Sequence, residues 1–107
     1  MKRVAQVLGV KKETLEAYKQ LHANIWPGVA KMITECNINN YSIYELNGQL
    51  FSYFEYTGED YDGDMAKMAA DPLTQQWWDV CKPLQVPDPN RPEGAWWWDA
   101  EEVFHQD

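Results

Sequence analysis

From Arg3 to Val10 apolar and polar positions alternate loosely and valine recurs, which predicts an interior first strand with little polar content after Lys2 and Arg3. At Lys12 the period becomes helical, and Leu15, Tyr18 and His22 stand at i, i+3 and i+7 on one stripe. Trp26-Pro27 interrupts this helix, because a proline pushes the preceding residue out of the helical region while itself suiting the first turn of a new helix. That second helix is predicted to run to about Cys36. Residues 39–45 and 49–56 form two β-rich runs around Asn47-Gly48, a pair that tolerates positive φ at both central positions of a tight hairpin. With these two as the loop, Leu46 faces Gln49, Glu45 faces Leu50, Ile43 faces Ser52 and Tyr41 faces Phe54. One hairpin face then carries Tyr41 and Phe54 and the other Ser42, Tyr44, Phe51 and Tyr53, so both want cover.

An acidic loop over residues 59–64 leads into a short helix through Met65, Met68 and Ala69 that is predicted to stop at Asp71-Pro72. Asp71 is placed to cap, and Pro72 to begin, a further helix carrying Trp77, Trp78 and Cys81. Residues 82–94 hold four prolines and read as an extended crossing loop. Residues 95–105, with Trp96-Trp97-Trp98 ahead of Glu101-Glu102-Val103-Phe104, read as a last strand in which Trp96 and Trp98 point one way and Trp97 the other. Strand, broken helix, strand, strand, broken helix, strand is the split βαβ order of an α+β, ferredoxin-like domain. Its helical layer covers one sheet face, and a second copy of the chain is the expected cover for the other, giving a homodimer joined through sheet faces.

Length and charge narrow the picture. The 107 residues suit one domain spanning 1–107. Seventeen acidic residues against nine basic ones give a net charge of −8, which repels phosphate backbones and anionic membranes and argues against nucleic-acid or membrane partners. Neither a signal-like N-terminus nor a membrane-length apolar run is seen, so a soluble, cytoplasmic protein is expected. Cys36 and Cys81 fit no redox or zinc spacing and are expected to be buried free thiols. Six Trp, six Tyr and three Phe exceed the needs of so small a core, which predicts rings facing a ligand or a subunit.

Of the two histidines, His22 is the better candidate for proton transfer, since it follows Tyr18 on the same helical face just before the Trp26-Pro27 break. A histidine that merely favours the end of the helix dipole fits the spacing as well. Trp77 and Trp78 point about 100° apart on a helix, so at least one is expected to line a cavity or an interface. Indoles stack on the C–H faces of sugars and also fill ordinary cores. Tyr41 offers either a phenolic hydrogen bond to a hydroxyl-rich ligand or a cross-strand pair with Phe54. His105 with Glu101 and Glu102 lacks the spacing of a metal site, and no phosphate loop, nucleophile elbow or dinucleotide fingerprint occurs, so no cofactor is expected.

The segment from Tyr18 through His22 to Trp26-Pro27 resembles the YxxxHxxxWP signature of the L-rhamnose mutarotase family. Asn40-Tyr41-Ser42-Ile43-Tyr44 resembles that family's NYxIY strand, Trp77-Trp78 its paired tryptophans, and Glu102-Val103-Phe104 its closing EVF. The resemblance implies a dimeric α+β barrel and a cofactor-free enzyme that interconverts the α and β anomers of L-rhamnose. It also implies His22 as proton donor and Tyr18, Tyr41, Trp77 and Trp78 as sugar-binding residues. Such exchange requires a base at the C1 hydroxyl and an acid at the ring oxygen, for which a positioned histidine contributes on the order of 10²–10⁴-fold. The loop over 82–94 and the Trp96-Trp97-Trp98 run depart from the pattern, leaving open a related deoxy-sugar such as L-fucose. A non-catalytic sugar-binding module, or a cofactor-free oxygenase or haem-handling member of the same architecture, are the readings from other classes.

Overall fold

The computed structural model describes residues 1–107. Strand β1 (Lys2–Val10) leads through a 3-10 turn (Lys12–Thr14) into α1 (Leu15–Ala23), then come α2 (Pro27–Glu35), β2 (Ile38–Leu46), β3 (Gln49–Tyr56), α3 (Tyr61–Ala70) and α4 (Pro72–Cys81). A second 3-10 turn (Lys82–Leu84) precedes β4 (Gln85–Val86), and β5 (Trp98–Asp99) comes last. The sheet is antiparallel in the order β2-β3-β1-β4, with β5 also paired to β1. This is the expected α+β, split βαβ order. No helix is long and apolar enough to cross a membrane.

Local chemistry sets the helix boundaries. Trp26 is extended, with φ −63° and ψ 129°, and Pro27 starts α2. Asp71 ends α3 and caps α4, its carboxylate accepting from the Thr74 backbone N–H at 3.0 Å and the Thr74 hydroxyl at 2.8 Å. Asp60 caps α3 through Gly63 N–H at 3.0 Å. Tyr56 at the end of β3 ties α3 to the sheet, its hydroxyl donating to Asp64 at 2.5 Å and accepting from the Asp60 N–H.

The hairpin turn is as expected, with φ 53° at Asn47 and 83° at Gly48, and Leu46↔Gln49, Glu45↔Leu50 and Ile43↔Ser52 in register. Farther out the expected pairing fails. A bulge lies between Asn39 and Ser42, where Asn40 takes φ 48°, so Tyr41 no longer stands directly opposite Phe54. Their rings still meet edge to face at 5.5 Å. The extra residue turns Ile38 inward opposite Tyr56, where an unbroken alternation would place it beside Ser42 and Tyr44 on the other face.

Val4, Leu8, Val10, Leu50, Phe54 and Tyr56 form the buried sheet face under the helices, joined by Ile38, Tyr18, Val29, Trp77 and Cys81. Both cysteines are buried and free.

The C-terminal quarter differs from expectation twice. The loop read over 82–94 contains β4, which pairs Val86 with Gly9 and Gln85 with Val10. Gly9 permits this approach, since a β-carbon there would lie 2.6 Å from the Val86 carbonyl oxygen. The last strand, expected over 95–105, shrinks to β5, pairing Trp98 with Val7 and Asp99 with Gln6. Beyond it the chain follows β1 through Ala100 N–H to Ala5 C=O at 2.8 Å and an Arg3–Glu102 ion pair at 2.9 Å. Trp96 therefore lies outside the strand, and the strict alternation expected of the three tryptophans does not hold.

Candidate active site

Between the helices and the buried sheet face lies a cavity of about 480 Å³, within the usual range for small-molecule sites. The sheet supplies Gln6, Tyr41, Ile43 and Phe54, α1 supplies Tyr18 and His22, and α4 supplies Trp77, Trp78 and Cys81. Met65 and Met68 of α3 close one side, and Gln85, Trp96 and Trp97 form the end wall. All five residues singled out from sequence, His22, Tyr18, Tyr41, Trp77 and Trp78, line this one space.

The helical stripe places the His22 ring on Tyr18, with centroids 4.1 Å apart and planes 28° from parallel. Trp77 meets the imidazole edge-on at 5.2 Å and is braced by Trp26 at 5.1 Å. His22 Nδ1 lies 3.0 Å from the Tyr18 carbonyl oxygen. A carbonyl only accepts, so Nδ1 carries the proton and Nε2 is left with its lone pair. Burial pushes the His22 pKa below 6.5, partly opposed by that carbonyl contact, so the resting imidazole is neutral at pH 7. A neutral imidazole with one nitrogen tied and the other free has the form of a general base.

The two tyrosines are of the opposite kind. Tyr18 is buried, its hydroxyl makes no hydrogen bond of full geometry, and burial raises its pKa strongly, opposed by the neighbouring Gln85 carboxamide. Tyr41 keeps 40% of its surface accessible beside the bulge, yet its phenol end is buried, which pushes its pKa up to about 12. Both phenols stay protonated and present hydrogen-bond donors. The Cys81 thiol, pushed up to about 11 by burial, stays protonated too.

Trp77 and Trp78 divide their roles. Trp77 is buried against Val29 and Cys81 with its ring toward His22, whereas Trp78 is half-buried at the cavity wall with the Lys82 ammonium 5.9 Å from its centre. His105 lies outside the cavity, 2.7 Å from Asp107.

Gln6, Gln85, Trp96 and Trp97 were not foreseen as cavity residues. Two of them carry a readable signal, since Gln6 interrupts the otherwise apolar inward stripe Val4, Leu8, Val10, and Gln85 stands between Leu84 and Val86. Trp96 and Trp97 give no such signal, because their orientation depends on a bend and not on strand alternation.

A model of the L-rhamnose mutarotase family matches residues 3–106. The chain is 35% identical to the L-rhamnose mutarotase of Bacillus subtilis (strain 168) over 109 aligned positions covering the whole of both proteins. Among solved structures it is similar to an L-rhamnose mutarotase from Formosa agariphila, with a TM-score of 0.79, 24% identity and full coverage of both chains. It is also similar to tetracenomycin F2 cyclase from Streptomyces glaucescens, a type-II polyketide cyclase, with a TM-score of 0.71, 15% identity and coverage of 99% and 96%. These two likenesses show a shared fold, and the cyclase shows that this fold carries unrelated chemistry. The family match over nearly the whole chain discriminates between them, and this chain belongs to the L-rhamnose mutarotase family.

Proposed function

We propose that this chain is an L-rhamnose mutarotase, a single catalytic domain that exchanges the α and β anomers of the free sugar by acid/base ring opening and closure. The observation that carries the reading is its full-length similarity to enzymes of that name. The cavity supports it with a neutral His22 among aromatic walls and two protonated phenols. The sugar lies with its C–H face on Trp77 and Trp78 while Tyr18 and Tyr41 orient its hydroxyls. His22 Nε2 takes the C1 hydroxyl proton as the bond between C1 and the ring oxygen breaks, giving the open aldehyde. The raised pKa values of Tyr18 and Tyr41 make them donors of hydrogen bonds and not of protons. That leaves His22, as imidazolium, to protonate the ring oxygen. The aldehyde rotates, and the reverse steps close the other anomer.

His22→Ala is expected to slow exchange by about 10²–10⁴-fold, measured by NMR saturation transfer between anomers, while sugar binding followed by tryptophan fluorescence persists. Exchange at the wild-type rate would reject the role of His22. Wild-type binding without exchange would favour the non-catalytic module. Running L-fucose and other L-deoxy-sugars beside L-rhamnose reads the preference in the same experiment.

The assembly we propose is a homodimer, completing a barrel with the open sheet faces. Tyr44 is 66% exposed and Phe51 42% on that face, with Leu46 beside them, an apolar patch of the kind a second copy covers. A monomeric mass by light scattering at micromolar concentration would reject this assembly.

A further inference from the structure

Gln85 enters the cavity through an unusual route. Its two-residue strand reaches β1 only because Gly9 has no β-carbon, and its pairing with Val10 turns the side chain toward the helices. There it is 8% exposed, and the Trp96 indole N–H lies 2.8 Å from its carboxamide oxygen. Indole nitrogen donates and never accepts, so this bond decides which end of the carboxamide is oxygen. The NH2 end is consequently the one turned away from Trp96; it makes no hydrogen bond of full geometry in the protein, and the Tyr18 hydroxyl is its near neighbour. Trp96 is in turn held by cations, with Lys82 Nζ 5.3 Å and the Arg91 guanidinium 5.8 Å from its ring centre. Arg91 is itself fixed by donating to the Ala95 carbonyl at 2.5 Å and the Asp88 carbonyl at 3.1 Å.

That Tyr18 hydroxyl is buried and likewise makes no hydrogen bond of full geometry, although it stands near enough to the Gln85 carboxamide for the amide to pull its pKa down. Two neighbouring polar groups that reach each other only in poor geometry cost free energy unless a ligand or water completes the bonding of both. The shared requirement is an oxygen that accepts from the Gln85 NH2 and bonds the Tyr18 hydroxyl. A sugar hydroxyl meets it, whereas a C–H group does not.

We infer that Gln85 is a sugar-binding residue, donating from Nε2 to a hydroxyl oxygen of the substrate jointly with Tyr18, and that Trp96 is the positioning residue that orients its carboxamide. The inference rests on the mutarotase reading for the identity of the sugar. It does not depend on catalysis, because it concerns binding.

The experiment compares wild type, Gln85→Met, Gln85→Glu and Trp96→Phe, measuring sugar affinity by calorimetry and anomer exchange by saturation transfer, with circular dichroism melting as the fold control. Gln85→Met removes the donor at similar volume and is expected to weaken apparent affinity about tenfold, the value of one well-made hydrogen bond, with kcat changed less than about threefold. Gln85→Glu, which keeps the Trp96 contact but replaces the donor by an acceptor, is expected to weaken it at least as much. Trp96→Phe should show a smaller loss in the same parameter, and its combination with Gln85→Met should be no worse than Gln85→Met alone. Wild-type affinity in both folded Gln85 variants would overturn the binding role, as would loss confined to kcat. If Gln85→Met does not fold, Gln85→Glu decides. Independent, additive losses from Trp96→Phe and Gln85→Met would overturn the positioning role. Absence of wild-type exchange on L-rhamnose, with Gln85-dependent affinity for another L-deoxy-sugar, would sink the mutarotase reading and leave this inference standing.

Discussion

Toward the helices, β1 and β3 present Leu8 and Leu50, each 1% exposed, and Gln6 and Phe54 at the edge of the cavity. The same strands present Val7, Phe51 and Tyr53 to the opposite side, beside Tyr44 and Leu46 of β2. Strand alternation supplies both sets equally, so what separates them is cover. Four helices seal one face and leave only the space the cavity needs. The other face keeps aromatic rings in the open, where each fully buried side chain would otherwise contribute about 1.5–3 kcal/mol. The face closed by the chain itself carries stability and the candidate chemistry, while the open one has the composition of a contact surface.

This contrast can be sharpened in decreasing order of effect. Titration acts through the covered face first. Because burial holds His22 below its ordinary pKa of 6.5, exchange should be full at neutral pH and fall about tenfold per unit once pH drops below the lowered value. Stability should decline with it, since below pH 6.5 the unfolded chain binds a proton that the buried imidazole still refuses, and the decline stops below the folded pKa. A flat exchange profile between pH 4 and 7 would remove His22 from the chemistry.

Packing comes next. Leu50→Ala should cost about 2–5 kcal/mol in urea unfolding, because the surrounding core cannot collapse onto the lost volume. Its neighbour Phe51→Ala should cost below about 0.5 kcal/mol in dilute solution, where that ring faces water. At high concentration the same Phe51 substitution should abolish a concentration-dependent rise in Tm, the signature of association through that face. Equal costs for the two substitutions in dilute solution would erase the distinction between the faces.

Between these lies Asn40→Ala. It puts at φ 48° a residue without the short polar side chain that lets asparagine tolerate the left-handed region, and it removes the 2.6 Å hydrogen bond to Glu55, for an expected loss of about 1–2 kcal/mol. Ile38 and Tyr41 flank the bulge, so affinity for the sugar should drop as well, read in the same titrations.

Much of this architecture is legible in the chain because punctuation residues act locally. Asn47-Gly48 determines the hairpin register, and Pro27, Asp71 and Pro72 set helix starts regardless of what lies across the core. His22 and Tyr18 were found together because helical spacing brings them onto one stripe. The bulge at Asn40 escaped because an asparagine in a β-rich run reads as an ordinary strand residue, and its left-handed backbone appears only when the outer register is compared. The last strand was overextended because three tryptophans favour β structure wherever they fall, whereas pairing requires a free edge. On β1 that edge is divided, with Gly9 and Val10 paired to β4 and Gln6 and Val7 to β5, after which a single bond from Ala100 N–H to the Ala5 carbonyl continues the contact. Gln85 stands out locally only as a polar residue between Leu84 and Val86; its inward direction comes from pairing with Val10.

The divided edge has a consequence for how the chain is made. Strand β1 is made before the other elements of this fold, yet its partners β4 and β5 come at residues 85–86 and 98–99. At about 5–20 residues per second, one flank of β1 waits on the order of ten seconds for its hydrogen-bonding partners. During that interval the nascent chain displays a valine-rich strand with an unpaired flank, the feature on which strands of other chains assemble. Chaperone demand and aggregation during synthesis should therefore respond more to changes at Gly9, Gln85 and Trp98 than to equally destabilising changes in the hairpin, whose second strand follows the first within about two seconds.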